Sequence, residues 1–464
     1  MPNLFQNIIR ILPEVKRPEQ KKLPFKEKLK WTGIILFAFF ILSAIPLFGL
    51  GENALSQFQQ LSIILGASFG SILSLGIGPI VTASIVLQLL AGSGILKIDQ
   101  TTHEGRATFQ GIQKLLSIFF IIFESIIFVV MGGLAPAQGI SPIILIFQLF
   151  LGGILVLYMD EVINKWGLGS GISLFIVAGV SQQIIIRIFS PLSLSGVWAF
   201  GSGQPPVGAL LVMITSLINQ DPRGALLAFA GIFSTILIFV IAVYAQAMKV
   251  EIPLSFGGIR SIRGHGIRWP LKFIYTSNIP VILIAALLAN VQLWARLLEK
   301  SGHPLLGTFS GNTPSTGLVA WLFPPDLVGG LIRGSFIPID LAHALVYALF
   351  LILGSVVFSV FWVQTSGMDA KSQAKQMMAS GLQIPGFRRD ERVLERLLNR
   401  YIKPLTVMGA IAIGFLAASA DLIGALTNGT SILLSVMIIY RLYEEIAQQH
   451  MMDMHPALRK MMGE

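Results

Sequence analysis

The chain of 464 residues is 54% hydrophobic and only 12% charged, with a mean hydropathy of +0.76. Soluble globular domains carry roughly 25% charged residues, so a soluble domain is excluded and a polytopic membrane protein is expected. There is no cysteine, which excludes disulfides and thiolate chemistry; the net charge of +10 suits a polyanionic partner or an anionic lipid surface, depending on where it sits.

Residues 1–30 read as an amphipathic basic arm, with Ile8, Ile9, Ile11 and Leu12 on one side and lysines beyond. The arm is too long and too charged for a cleavable signal peptide. Apolar windows follow near 31–50, 76–93, 115–134, 140–159, 171–190, 224–247, 273–295, 338–363, 404–423 and 430–447. Ten spans put both termini on one side of the membrane. Segments 1–30, 97–114, 160–170, 249–272, 364–403 and 441–464 hold 28 of the 33 Lys and Arg, and only Arg187, Arg223, Arg296, Lys300 and Arg333 fall on the other side. Lys and Arg accumulate on the cytosolic face, so both termini, including the tail 448–464, are expected there.

The outer loops 191–223 and 296–337 are rich in Gly, Pro and Ser, whereas the inner loops 249–272 and 364–403 are basic. Residues 389–401 are helix-like, with Val393, Leu394, Leu397 and Leu398 on one face. A solvated face beside anionic lipid accounts for such charges. Two basic protrusions on one side also suit a large acidic partner, RNA above all.

Residues 59–90 carry no charge, yet one span needs only ~20 residues. The chain is therefore expected to enter the membrane, break, and begin again at Gly76, Gly78 and Pro79. Glu124 sits in the middle of the third span, where a carboxylate costs at least ~2.5 kcal/mol unless it meets a polar interior. Thr82 and Gln88 in span two, with Asn278, Asn290 and Gln292 in span seven, could share a polar seam with it; a plain hydrogen-bonded packing cluster is the other reading. Asp160, Glu161, Asp340 and Asp421 lie near helix ends, and no paired carboxylates cross two spans, as coupled pumps require. The six histidines have no ligand spacing, and no Ser/His/Asp set or phosphate loop is present. Neither an enzyme, a metal nor a cofactor is expected. Ile77 and Val81, and likewise Ile172 and Ile176, are spaced i,i+4 beside glycines, so each pair shares a helix face.

FKEKLKWTGI, LGIGPIVTASIVLQLLAGSGI, RATFQGIQKLLSI, DEVINKWGLGSGISLFIVAGVSQ, YTSNIPVIL with ANVQLW, FWVQTSGMDAKSQAKQM, RYIKPLTVMGA and GTSILLSVMIIYRLYE follow one another along the whole chain. Together they resemble the SecY family, the central subunit of the Sec protein-conducting translocon, and most of all its archaeal branch. The resemblance implies an all-α fold of ten spans in two pseudo-symmetric halves, 31–190 and 224–447, around an hourglass pore. Residues 59–74 would be a short re-entrant plug helix, including Leu61, Ser62, Ile63, Ile64, Leu65 and Gly66, with Gly76, Gly78 and Pro79 as its hinge. The pore ring would be Ile77, Val81, Ile172, Ile176, Ile282 and Leu434. Thr82, Gln88, Glu124 and Asn290 would line a lateral gate, and Arg260, Arg263 and Arg388 would contact the ribosome. The implied partners are the SecE (gamma) subunit and a small beta subunit in a heterotrimer, the ribosome, nascent polypeptides with signal sequences, and membrane lipid. The implied activity is translocation of secretory polypeptides across the cytoplasmic membrane and lateral release of membrane spans into it, driven by a bound partner such as the ribosome. A multi-span solute transporter with a polar site at Glu124 is the alternative, and a scaffold that only anchors ribosomes a third reading.

Overall fold

A backbone in lipid must satisfy its own hydrogen bonds, which long apolar runs do as helices. The computed structural model describes residues 13–454 except 20–22, 52–69, 93–94, 97–102, 131–133, 194, 201–202, 257–266, 277–278, 301, 311–312, 380–381 and 384–389. In chain order its helices are α1 (Phe25–Ala44), α2 (Gly78–Gly92), α3 (His103–Val130), α4 (Pro142–Trp166), α5 (Gly171–Phe189), α6 (Ala209–Ile218), α7 (Pro222–Ala247), α8 (Ile279–Lys300), α9 (Gly317–Trp321), α10 (Leu327–Arg333), α11 (Pro338–Thr365), α12 (Ala370–Ala379), α13 (Glu391–Leu422) and α14 (Gly429–Met454). The strands are β1 (Lys249–Phe256), β2 (Ile267–Lys272), β3 (Phe309–Ser310), β4 (Thr313–Pro314) and β5 (Leu382–Gln383). Among the described residues, seven stretches are long and apolar enough to cross a membrane.

Each of the ten expected windows contains a helix, with shifted ends. α1 stops at Ala44 because Ile45 precedes Pro46, which drives it into extended backbone. α4, α7 and α11 each carry Pro in the first turn, where its missing N–H costs nothing. α13 begins at Glu391, well before its apolar window, so the amphipathic stretch and the ninth span are one helix. Large apolar side chains such as Phe229, Phe233, Ile236 and Val240 of α7 are exposed, as a lipid-facing surface requires.

Two apolar cores divide the helices. The first joins Phe39, Leu73, Leu75, Ile80, Ile121, Leu149, Ile163 and Phe175, from α1 to α5 and the turn before α2. The second joins Ile238, Ile284, Leu351, Ile413 and Leu434, from α7, α8, α11, α13 and α14. Small residues let the helices close up. A Cβ on Gly153 of α4 would stand 2.5 Å from Ile121 of α3, and one on Gly414 of α13 would stand 2.7 Å from the Ile352 backbone of α11. The two sets of helices meet where α2 touches α8 and α11, and where α5 packs along α14.

Three expectations change. Segment 249–272 is a hairpin of β1 and β2, with Lys249 opposite Lys272, and β5 adds antiparallel to β1. The two basic inner segments therefore form one unit, with its own core of Ile252, Leu271, Ala374, Met377, Leu394 and Leu398. The outer loop 191–223 contains α6, which packs on α7. Finally, residues 70–77 form turns rather than the end of a plug helix. The Leu47 N–H donates to the Gly70 carbonyl at 2.9 Å and the Ile72 N–H to the Ile45 carbonyl at 3.1 Å. Leu73 is fully buried, and the Ile72 carbonyl fills the space a Cβ on Gly152 would need. Residues 70–74 thus belong to the first core, because their backbone and side chains are already spent there.

Candidate functional site

The expected ring residues are distributed over both cores. Ile77 and Ile172 pack against the first core. Ile176 and Ile282 pack against the second, of which Leu434 is a member. Val81, one turn beyond Ile77, is buried on α2, and its N–H donates to the Ile77 carbonyl at 3.0 Å. All six are aliphatic and buried or half-buried. Such a ring offers no polar group to hold an ion or a peptide, and a narrow apolar constriction resists water.

The turn leading into α2 depends on Gly76, whose φ of +54° lies in the left-handed region that other residues adopt only at a cost. Gly78 opens α2, and Pro79 follows in its first turn. Leu61, Ser62, Ile63, Ile64, Leu65 and Gly66 of the expected plug lie outside the described residues, as do Arg260, Arg263, Arg388 and Asn278.

Half of the expected polar seam forms. The Glu124 carboxylate lies beside Gly78, and the Thr82 hydroxyl next to it donates to the Gly78 carbonyl at 2.9 Å. Nearer the start of α3, Gln113 Nε2 donates to Ser84 Oγ of α2 at 2.6 Å. Sequence reasoning missed this pair. Its signal was the helical spacing of Gln113, Ser117 and Glu124 on one face of the third span. Among the described residues, no hydrogen bond joins Asn290 of α8 to Glu124 or Thr82. Gln88 Oε1 is buried without a partner. Across this boundary the contact is apolar: Ile85 of α2 packs against the second core.

At the end bearing the hairpin, the segment 13–16 is bound to α3 and α4. Lys114 Nζ donates to the Pro13 carbonyl at 2.7 Å, the Val15 N–H to Glu161 at 3.1 Å, and Trp166 Nε1 to the Lys16 carbonyl at 2.9 Å. Glu161 is paired with both Lys114 and Lys165, at 2.9 and 2.8 Å. The hairpin base is tied to α14 through the Lys272–Glu444 ion pair.

Residues 71–443 match the SecY family model, and residues 37–70 match the plug domain of Sec61p. The latter stretch includes Leu61 to Gly66. The chain is 46% identical over 463 residues to the protein translocase subunit SecY of Methanothermobacter thermautotrophicus, covering 99% of this chain and 98% of that protein. Among solved structures it is similar to a SecY channel whose plug domain stabilizes the closed state and maintains a membrane seal, at 42% identity and a TM-score of 0.81, covering 97% of this chain and 98% of that one. It is also similar to Sec61 in the canine ribosome-channel complex from the endoplasmic reticulum, at 41% identity and a TM-score of 0.77, with the same coverage. By its fold and the match along nearly its whole length, the chain belongs to the SecY family.

Proposed function

We propose that the chain forms a passive channel through which unfolded polypeptides cross a membrane, and from which apolar segments leave sideways into lipid. The observation that carries this reading is the division of five of the six aliphatic neck residues between two separate cores, Ile77 and Ile172 with the first and Ile176, Ile282 and Leu434 with the second. A neck built on a boundary can widen when its halves move apart without either core being broken. Ile77, Val81, Ile172, Ile176, Ile282 and Leu434 seal the resting pore, and the segment containing Leu61 to Gly66 plugs it. The contact of α2 with α8 and α11 is the lateral gate, with Thr82, Gln88, Glu124 and Asn290 beside it. An apolar signal segment opens it because the open form buries that segment better.

The hairpin-and-α12 unit docks the ribosome through Arg260, Arg263 and Arg388, in the manner of the canine relative in its ribosome-channel complex. A SecE (gamma) subunit and a small beta subunit complete a heterotrimer in the cytoplasmic membrane, with both termini in the cytosol. Protease protection tests the reading. Vesicles holding the complex, given ribosomes bearing a nascent secretory chain, should shield that chain from added protease. A solute transporter built around Glu124 would leave it fully digested.

A further inference from the structure

α5 and α14 begin alike. Leu168-Gly169-Ser170-Gly171-Ile172-Ser173 and Leu426-Thr427-Asn428-Gly429-Thr430-Ser431 share Leu three residues before the first helical glycine and Ser two residues after it. The Leu168 N–H donates to Thr32 Oγ1 at 3.0 Å, and the Leu426 N–H to Thr235 Oγ1 at 3.1 Å. Thr32 lies on α1 and Thr235 on α7, the first long helix of each half. Each hydroxyl donates to the carbonyl four residues earlier, of Lys28 at 2.9 Å and of Gly231 at 2.8 Å.

A carboxylate from the preceding helix then takes the first free N–H groups. Asp160 Oδ1 of α4 accepts from the Ile172 N–H at 2.8 Å. Asp421 Oδ1 of α13 accepts from the Gly429 N–H, and its Oδ2 from the Tyr347 hydroxyl of α11 at 2.7 Å. Ser170, at the N-cap position of α5, makes no capping bond of its own. Both glycines are required by contact. A Cβ on Gly171 would stand 2.6 Å from Asp160 Cα, and one on Gly429 would stand 2.1 Å from Ala420 Cβ.

The two helices run antiparallel, and two contacts fix their register. Arg187, near the end of α5, donates to the Leu426 carbonyl just before α14. Gly169, just before α5, lies against Leu442 and Glu445 of α14, whose atoms would be 3.6 Å from its Cβ. Ile176 and Leu434 each stand five residues past their glycine. At about 1.5 Å per residue they then lie within roughly 5 Å of one level, near the midpoint between the two caps.

A helix start has unpaired N–H groups and a positive partial charge. A carboxylate meets both needs through charge-assisted bonds. Because each carboxylate belongs to another helix, a slide of one residue, about 1.5 Å, breaks the bond. We propose that Asp160 with Thr32, and Asp421 with Thr235, are two symmetry-related clamps of positioning residues that hold Ile176 and Leu434 at one level. The proposal rests on reading those two residues as the neck.

The test uses the complete complex in vesicles. The chain has no cysteine, so Ile176→Cys combined with Leu434→Cys gives a unique pair, and a short thiol cross-linker reports their relative level independently of transport. Cross-linking in Asp160→Asn and Asp421→Asn, whose amide oxygens still accept, should stay near the parent value. Asp160→Leu and Asp421→Leu should lower it by about fivefold, the population shift expected for a lost helix cap, and should raise closed-state ion conductance. Leu variants that cross-link like the parent overturn the proposal, and so do Asn variants that fall as far as Leu. If a Leu variant does not reach the membrane, Thr32→Val and Thr235→Val remove one bond from each clamp, and unchanged cross-linking there overturns it too. The neck reading is checked separately with Ile176→Ala plus Leu434→Ala. If that pair does not leak while cross-linking still responds to the clamps, the neck reading fails and the clamps stand.

Discussion

The carboxylate of Glu124, six residues before the end of α3, lies against Gly78, the first residue of α2, where a Cβ would stand 3.5 Å from Oε2. An acid within a span thus faces the positive end of a neighbouring helix, which is where a carboxylate is best tolerated. Glu124→Gln keeps the acceptor and should change little. Glu124→Leu should loosen α2 and shift the gate toward its open form by about 1–2 kcal/mol, the scale of an interhelical hydrogen bond in lipid. Translocation of a client with a weakened signal sequence measures this. If the Leu variant demands a stronger signal than the parent, Glu124 does not hold the gate.

Ser84 and Gln113 also tie α2 to α3, nearer the start of α3. A double-mutant cycle of Ser84→Ala and Gln113→Leu, read from thermal unfolding of the solubilised complex, should give a coupling near 0.6 kcal/mol and no more than about 1.7 kcal/mol. Zero coupling would mean that the Ser84–Gln113 bond adds nothing to the packing of α2 on α3.

The helices were legible because lipid imposes a strong, local demand on composition. Their ends were less so, since hydropathy sees only the apolar part of α13 and not the turns from Glu391 that carry Leu394 and Leu398 inward. The β1–β2 hairpin was missed because its strands include Pro253 and Pro270 and, among the described residues, pair with each other and β5. The Thr82–Glu124 contact could be guessed from two polar residues in apolar spans. Gly78 could not be guessed as a partner of Glu124, because a glycine advertises no side chain. Asn290 is expected in the same seam from its polarity and from the resemblance, but neither says which way a helix turns, and among the described residues no hydrogen bond joins it to Glu124 or Thr82.

Deleting the expected plug should leave the rest of the chain folded. Residues 70–75 are anchored by the Gly70 and Ile45 carbonyls and by buried Leu73 and Leu75, so a deletion of 61–66 stops short of that anchor. Expression should be normal, and closed-state ion conductance in vesicles should rise. Gly76→Ala, at φ +54°, should instead lower thermal stability by about 1–2 kcal/mol, the cost of a left-handed backbone in an ordinary residue. Unchanged conductance in the deletion would remove the plug from this segment.

Charge reversal at Arg388 should weaken ribosome binding without changing the fold. If the arginine meets an RNA phosphate, fewer counterions are released when the variant binds, and the slope of log affinity against log salt should become shallower by about one. The loss is therefore greatest at low salt. Co-sedimentation with ribosomes across a salt series gives both numbers, and a parallel, unshifted line would exclude Arg388 from the interface.

Ile172 and Ile176 are only half-buried, although they stand between the two cores, whereas Ile163 of α4 is fully buried. A wall facing open space on one side would show this difference. Truncating Ile163 to Ala removes packing on every side and should cost about 2–5 kcal/mol. Truncating Ile172 and Ile176 together removes partners on one side only, so each should cost less than Ile163→Ala despite the similar chemistry, and alanine keeps the helix where glycine would weaken it. The expected pattern is opposite in two assays. Ile163→Ala lowers the melting temperature and leaves the resting conductance unchanged, while the Ile172→Ala, Ile176→Ala pair melts nearer the parent and conducts ions at rest. A double variant that unfolds as readily as Ile163→Ala, with no conductance, would return both isoleucines to ordinary core packing.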